Sequence, residues 1–236
     1  MPRISRGQTG GTCVHVINRG NARAEVFHGD EDYQDFVELI GLACQRVAMR
    51  VVGVCLMPNH FHMILRPRRD GELSAWMQWL MTSHVRRYHR KHGTSGHVWQ
   101  GRFKSFAIQH RRPSRADSQA GLMAYGDPVL QVLRYVERNP LRASLVARAE
   151  LWPWSSLRWW LEPGSSPDFW RSDVIHRPED WVKAVNRAET EKELAALRRS
   201  VQRGTPFGSE NWVSRVVRRW GLESTLRPPG RTPKKA

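Results

Sequence analysis

Two short stretches of this chain carry side chains whose types and spacing can do chemistry together. In His60-Phe61-His62 the imidazoles are two residues apart, so on a strand both face one way while Phe61, Met63 and Leu65 face the other. Two neutral imidazoles aimed at one point can hold a metal ion or a phosphate. A bare His-x-His is more often a pair of ordinary polar residues on a half-exposed strand. The second stretch ends in Tyr135 and Asn139, four residues apart and so on one face of a short helix whose other face is Val129, Val132, Leu133 and Val136. Taken singly, Tyr135 reads as a core aromatic and Asn139 as a helix cap.

Taken together, the two stretches describe one reaction. A tyrosine hydroxyl, with a pKa of about 10, is a weak nucleophile, and its attack on a phosphodiester needs a cation to polarise the phosphate. Two histidines and an amide oxygen leave the charge of a divalent ion uncancelled and its other positions open to phosphate oxygens and water. Imidazole favours zinc and open oxygen coordination favours magnesium or manganese, so the residue types alone leave the ion undecided.

The elements that must position these groups follow from periodicity. A strand is predicted at Thr12 to Asn18, with a turn at Arg19 to Asn21. A helix opens at the acidic Asp30 to Asp32 and carries Phe36, Leu39, Ile40, Ala43 and Val47 at helical spacing. An apolar run from Val51 to Met57, a Pro58-Asn59 turn and a strand from His60 to Leu65 complete the first third. A second amphipathic helix is predicted from Leu73 to His92, broken at Gly93 to Gly96. The stretch His97 to Gln109 reads as a loop entering a strand, and Arg111 to Asp127 as a polar loop. A helix from Pro128 to Asn139 is expected to stop at Pro140, because the residue before a proline disfavours helical backbone. Beyond Pro163 a Pro, Ser and Gly cluster sets a soft boundary near Gly164. Helices are predicted at Pro178 to Val201 and Ser209 to Trp220, and the end, RPPGRTPKKA, is expected to be disordered.

Composition bounds the partner. The 236 residues suffice for one substantial core and a smaller appendage. Against 22 acidic residues stand 38 Lys and Arg, a formal charge of +16, which implies a polyanionic partner. No apolar stretch approaches the roughly 20 residues needed to span a bilayer, and no signal-peptide pattern opens the chain. The basic residues are interleaved with aromatics and Gln, as in Trp99 to Lys104 and Trp152 to Trp160, which favours nucleic acid over lipid. The three cysteines, Cys13, Cys44 and Cys55, form no C-x-x-C pair and read as small buried hydrophobes in a reducing cytoplasm.

With these residues in view, the sequence resembles a known family. LMPNHFHMIL at Leu56 to Leu65, HVWQGRFKS at His97 to Ser105, and LRYVERNPLRASLV at Leu133 to Val146 followed by WPWSS at Trp152 to Ser156 are similar, in order and spacing, to the REP-associated tyrosine transposases of the HUH single-tyrosine class. RGTPFGSENWV at Arg203 to Val213 and GLESTLRP at Gly221 to Pro228 resemble the tail of one branch of that family. The resemblance implies an α+β fold, a ferredoxin-like antiparallel sheet flanked by helices at residues 1–163, followed by a helical, partly disordered basic extension at 164–236. It also implies His60 and His62 as metal ligands with Asn139 as the third, Mg²⁺ or Mn²⁺ as the ion, and Tyr135 as the nucleophile. The implied reaction is cleavage of single-stranded or hairpin DNA beside a repeated extragenic palindrome, through a 5′-phosphotyrosine and a free 3′-hydroxyl that can rejoin. Two features depart from the family pattern: a longer Arg111 to Asp127 stretch, and Val136, Glu137 and Arg138 after the tyrosine.

DNA contacts are expected from Arg19 and Asn21 after the first strand, Arg86, Arg87 and Arg90 on the second helix, and Trp99, Gln100, Arg102 and Lys104 in the loop. Arginines would hold phosphates and Trp99 would stack an unpaired base. With 11 tryptophans in one small protein, Trp152, Trp154, Trp159 and Trp160 are better read as packing. The arginines of the extension, Arg198, Arg199, Arg203, Arg215, Arg218 and Arg219, would clamp a hairpin or form a flexible basic arm. The protein is expected to work as a monomer or homodimer in the bacterial cytoplasm, associated with the nucleoid. Two rivals remain: a hairpin-binding architectural or regulatory protein that does not cleave, against which all four reactive groups stand, and a water-using metal nuclease, for which no carboxylate cluster is found.

Overall fold

The computed structural model describes residues 9–110, 126–171 and 175–227. Its first part runs β1 (Cys13–Arg19), α1 (Asp30–Arg46), β2 (Met49–Met57), β3 (His60–Pro67), α2 (Glu72–His92) and β4 (Lys104–Ile108). The strands form one sheet in the order β2-β3-β1-β4, and every neighbouring pair is antiparallel. This is the expected α+β, ferredoxin-like arrangement, with each predicted strand present to within a residue or two at its ends.

The alternation of β3 sorts the molecule into layers. Phe61, Met63 and Leu65 share one apolar cluster with Phe36, Leu39 and Ile40 of α1 and Leu73, Trp76, Met77 and Leu80 of α2. Both helices therefore lie on that face, and His60, His62 and Ile64 face the other. Met57 pairs with His60 across the Pro58-Asn59 connection, which fixes the register of the hairpin. Three acidic residues in the first turn of α1 suit the positive end of the helix dipole. Gly93 ends α2 in the left-handed conformation at φ 62°, where a side chain would be strained.

The opposite face is covered by α3 (Pro128–Glu137). Asp127 caps it by accepting from the Val129 amide, and Pro128 occupies the first turn, where a missing N–H costs nothing. The helix crosses β2 at Gly53, where a Cβ would collide with Leu133 Cδ1. The expected stop at Pro140 takes a different form. Helix α3 ends at Glu137, and α4 (Asn139–Arg142) begins at once with Pro140 in its first turn, where proline is tolerated. Tyr135 and Asn139 thus sit on successive short helices, not on one.

The tryptophan-rich segment lies along β2. Trp152 Nε1 donates to the Leu56 carbonyl, the Leu56 amide donates to the Trp154 carbonyl, and α5 (Ser156–Leu161) follows. Trp159 is buried, and Trp152, Trp154 and Trp160 are half-buried against the apolar clusters, as packing residues would be. Cys13 and Cys55 are buried and Cys44 half-buried, all as free thiols.

Past Gly164 the expected single helix from 178 to 201 is two, α6 (Trp181–Asn186) and α7 (Glu191–Arg203). Thr190 accepts from the Glu193 amide while Glu193 reaches back to the Thr190 amide, a capping box that starts α7 afresh. The last helix, α8 (Glu210–Trp220), is where the sequence places it. Trp181, Val185, Leu194 and Leu197 share a core with Val129, Leu133 and Val136 of α3, so this part of the chain completes the same layer. Most of the polar loop expected at 111–127 and of the disordered end expected at 227–236 lies outside the described residues. No helix among the described residues is long and apolar enough to cross a membrane.

Candidate functional site

The site is built where α3 and α4 lie over the histidine face of the sheet. The rings of His60 and His62 are 5.0 Å apart and nearly perpendicular. The Tyr135 ring meets the His62 ring edge-on, with centroids 5.8 Å apart at 89°. The strand pair and the tyrosine, 73 positions apart in sequence, are thus neighbours.

Each histidine has its own support. His60 Nδ1 lies 2.6 Å from Asn59 Oδ1, and the Asn59 amide nitrogen donates to the Arg23 carbonyl at 3.1 Å. The amide oxygen is therefore the group facing the ring, so His60 Nδ1 must donate and its Nε2 keeps a free lone pair. His62 Nδ1 lies 2.9 Å from Nε2 of His15, a residue of β1 that the sequence reading did not single out. His15 itself is fully buried and stacked on Phe106, with centroids 4.7 Å apart. The missed signal was the register: β1 pairs Ile17 with His62, which puts His15 diagonal to His62 on the same face.

Burial keeps all three imidazoles neutral. It pushes His60 down to about 4, helped by the charge of Arg19, and His15 down to about 3. His62 is held well below the usual histidine range by burial first, then by His60, His15 and the charges of Arg142 and Arg19. Neutral imidazole is the form that binds a metal. Among the described residues no group of three or more His, Cys, Asp or Glu is placed to hold an ion.

Asn139 is buried, and both ends of its amide are hydrogen-bonded. Its amide nitrogen donates to the Tyr135 carbonyl at 3.0 Å, and its oxygen accepts from Arg142 Nη1 at 3.2 Å. A carbonyl-type oxygen has a second lone pair, so this contact leaves one position for a cation. Arg142 also donates to the Tyr135 carbonyl and to Glu189, and its Cζ stands 4.3 Å from the centre of the Tyr135 ring. Burial pushes the Tyr135 phenol up; the charges of Arg142, Arg198 and Arg19 oppose this and Glu189 adds to it.

Arg142 and Glu189 were not anticipated. Arg134, Arg138 and Arg142 follow each other at intervals of four and all reach the segment after α6. Arg134 and Arg138 donate to the carbonyls of Ala184, Val185, Asn186, Arg187 and Ala188, and Glu189 binds both Arg138 and Arg142. Beneath them Glu137, 0% exposed, accepts from Ser156 Oγ, Arg177 Nη2 and Trp181 Nε1, all at 2.7 to 2.8 Å. The charged residues after the tyrosine that depart from the family pattern are the ones that tie this helix to the later chain.

The expected DNA contacts divide by place. Arg19 pairs across the strands with His60, and Lys104 with Ile17, so both belong to the histidine face. Arg19 Nε is buried without a partner among the described residues. Asn21, Gln100 and Arg102 are exposed at the same end of the sheet, where the Gln100 amide donates to the Arg19 carbonyl. Arg86, Arg87 and Arg90 lie on α2, across the sheet from the histidines. Arg86 and Arg90 are exposed there, whereas Arg87 is bound to Asp35 and Glu38 of α1. Trp99 is a correction. At 5% exposure it packs among Phe27, Phe36, Phe61 and His84, donating Nε1 to His84 Nδ1, and has no ring face to offer a base. In the extension Arg203 is likewise committed, to the Thr225 and Ser224 carbonyls, while Arg198, Arg199, Arg215, Arg218 and Arg219 are exposed.

Comparison with known proteins agrees with the motif resemblance over the first part of the chain. Residues 9–117, just under half of it, match the model of the family described as IS200-like transposase. The match includes His60 and His62 and ends before Tyr135. A solved structure of a REP-associated tyrosine transposase bound to a REP hairpin aligns at 20% identity with a TM-score of 0.48, covering 80% of this chain and 98% of that one. A putative transposase from Deinococcus radiodurans R1 aligns at 18% identity with a TM-score of 0.35, over 52% of this chain and 95% of its own. No curated protein matches.

Proposed function

We propose that the protein is a tyrosine transposase that cleaves and rejoins single-stranded or hairpin DNA, with REP-like palindromes as targets. The observation that carries this reading is the edge-on approach of Tyr135 to His62, on a face that also holds His60 and Arg19. A phenol beside two neutral imidazoles is the equipment for nucleophilic attack on a polarised phosphate. The net charge of +16 and the exposed Arg102 and Lys104 beside the site suit the DNA backbone.

In this reading His60 Nε2, His62 Nε2 and Asn139 Oδ1 would hold a divalent cation, Mg²⁺ or Mn²⁺. Bound there, the cation would supply Lewis-acid polarisation of the scissile phosphate and a counter-charge to the developing anion. The chain's own groups do the rest. Tyr135 Oη attacks phosphorus and loses its proton; the bond from phosphorus to the 3′ oxygen breaks and that oxygen takes up a proton. The products are a 5′-phosphotyrosine and a free 3′-hydroxyl, and reversal with another 3′ end joins strands. Arg142, over the phenol ring, would lower the cost of the phenolate, and Arg19, on the same face as His60, would hold a flanking phosphate.

The test is incubation of the protein with labelled hairpin DNA and Mn²⁺, followed by denaturing electrophoresis. A protein–DNA adduct should form with the wild type and be absent in Tyr135→Phe. Tight hairpin binding with no adduct from the wild type would instead establish a binding protein that does not cleave.

A further inference from the structure

The two histidines facing Tyr135 differ in what holds them. His60 is kept in one tautomer by an amide whose orientation is itself fixed, through Asn59 and the Arg23 carbonyl. His62 has a third imidazole behind it, His15, whose Nε2 lies 2.9 Å from His62 Nδ1. His15 is clamped by its stack on Phe106 and is fully buried, and its Nδ1 has no hydrogen-bond partner among the described residues. Its one polar contact among them is therefore His62.

A single proton fits between those two nitrogens, and where it sits decides what His62 can do. If His15 donates, the neutral His62 must carry its own proton on Nε2 and has no lone pair for a cation. If His62 donates, its Nε2 is free, and neutral His15 must place its proton on Nδ1, where no described residue accepts it. The second arrangement is the one in which a ligating imidazole gives its other N–H to an outer partner. It leaves a buried donor unpaired. An orphan of that kind at a fully enclosed position has no role in holding the sheet together, where an aliphatic side chain would pack without loss.

We propose that His15 is the positioning residue of His62: its Nε2 accepts the His62 Nδ1 proton and so keeps the His62 Nε2 lone pair available to a divalent cation. This rests on the metal reading above. His15 does not touch cation or substrate, and acts only through His62.

The experiment is Mn²⁺ binding to the full chain, read by the electron paramagnetic resonance of free Mn²⁺, for the wild type, His15→Phe and His15→Gln. Glutamine keeps an acceptor near the Nε2 position and phenylalanine does not. His15→Phe should bind Mn²⁺ about 10- to 100-fold more weakly, and His15→Gln should recover most of that loss. Hairpin binding without metal should be unchanged in both. Because a substitution in the core can lower stability, the wild type is also examined by imidazole ¹⁵N resonance with Mg²⁺ bound, where His62 Nδ1 should be protonated and His15 Nε2 not. Equal Mn²⁺ affinity in wild type and His15→Phe, or a protonated His15 Nε2 with Mg²⁺ bound, overturns the proposal alone. A wild-type chain that binds neither ion overturns the metal reading and this proposal together.

Discussion

The Arg142 guanidinium stands over the ring of Tyr135, its Cζ 4.3 Å from the ring centre, and is held there by Glu189 at 2.7 Å. A cation in that place favours the phenolate. Replacing Arg142 with Met is expected to raise the Tyr135 phenol further, because burial already pushes it up and Arg142 is the strongest opposing charge. Tyrosinate absorbance during an alkaline titration, with Tyr135→Phe identifying the transition, measures the shift; no upward movement would rule out an electrostatic part for Arg142.

Loss of one proposed metal ligand should separate chemistry from binding. In His60→Ala, adduct formation with Mn²⁺ is expected to fall below detection, while hairpin affinity changes by less than about threefold, since affinity comes chiefly from phosphate contacts. Cleavage at the wild-type rate in this variant would contradict the ligand role of His60.

The Glu137 carboxylate is enclosed and bound by three donors, one of them a guanidinium that is itself 1% exposed. Arg177→Met leaves that carboxylate without its counter-charge and should destabilise the fold by about 3–5 kcal/mol. Urea denaturation gives the figure, and a cost under about 1 kcal/mol would mean the pair behaves as a surface ion pair.

Trp99→Ala removes a large ring from the α1/α2 core and is expected to cost about 3–5 kcal/mol of stability. Trp99→Phe should keep hairpin affinity. A marked drop in affinity for the phenylalanine variant, with stability intact, would restore the stacking role that burial argues against.

Acid should unfold the protein early. Burial depresses His15 to about 3 and His84 to about 4, against about 6.5 in an unfolded chain. Below pH 6.5 the unfolded chain takes up protons that the native state refuses, so stability is intact above that pH and declines as pH falls. These two groups alone contribute a slope of up to about 2.7 kcal/mol per pH unit between about pH 4 and 6, to which the depressed His60 and His62 add. Urea midpoints at a series of pH values check it, and a flat profile from pH 7 to 5 would show that these rings accept protons in the native state.

What was readable in the sequence followed period and punctuation. The alternation of His60 to Leu65 fixed which side chains face the helices, and the apolar spacing of α1 and α2 located both. The His60, His62 and Tyr135 neighbourhood was legible because each motif faces one way on its own element. His15 was not, because its partner lies 47 positions away and only strand register brings them together. Trp99 was misplaced because an aromatic among basic residues looks the same in sequence whether its ring points out or in. The break between α6 and α7 was signalled by Thr190 and Glu193, a capping pair masked by the helix-forming residues around it.

The arginine row at 134, 138 and 142 has a consequence for how such a chain can vary. Its three side chains grip carbonyls and a carboxylate between residues 184 and 189, so the end of the helix bearing Tyr135 and the short helix after it are tethered to a segment remote in sequence. A length change between α6 and α7 would pull on that tether and tilt the phenol relative to the histidines. Drift there is constrained by the alignment of Tyr135 with the histidines, on which the linker acts through Glu189 and Arg142.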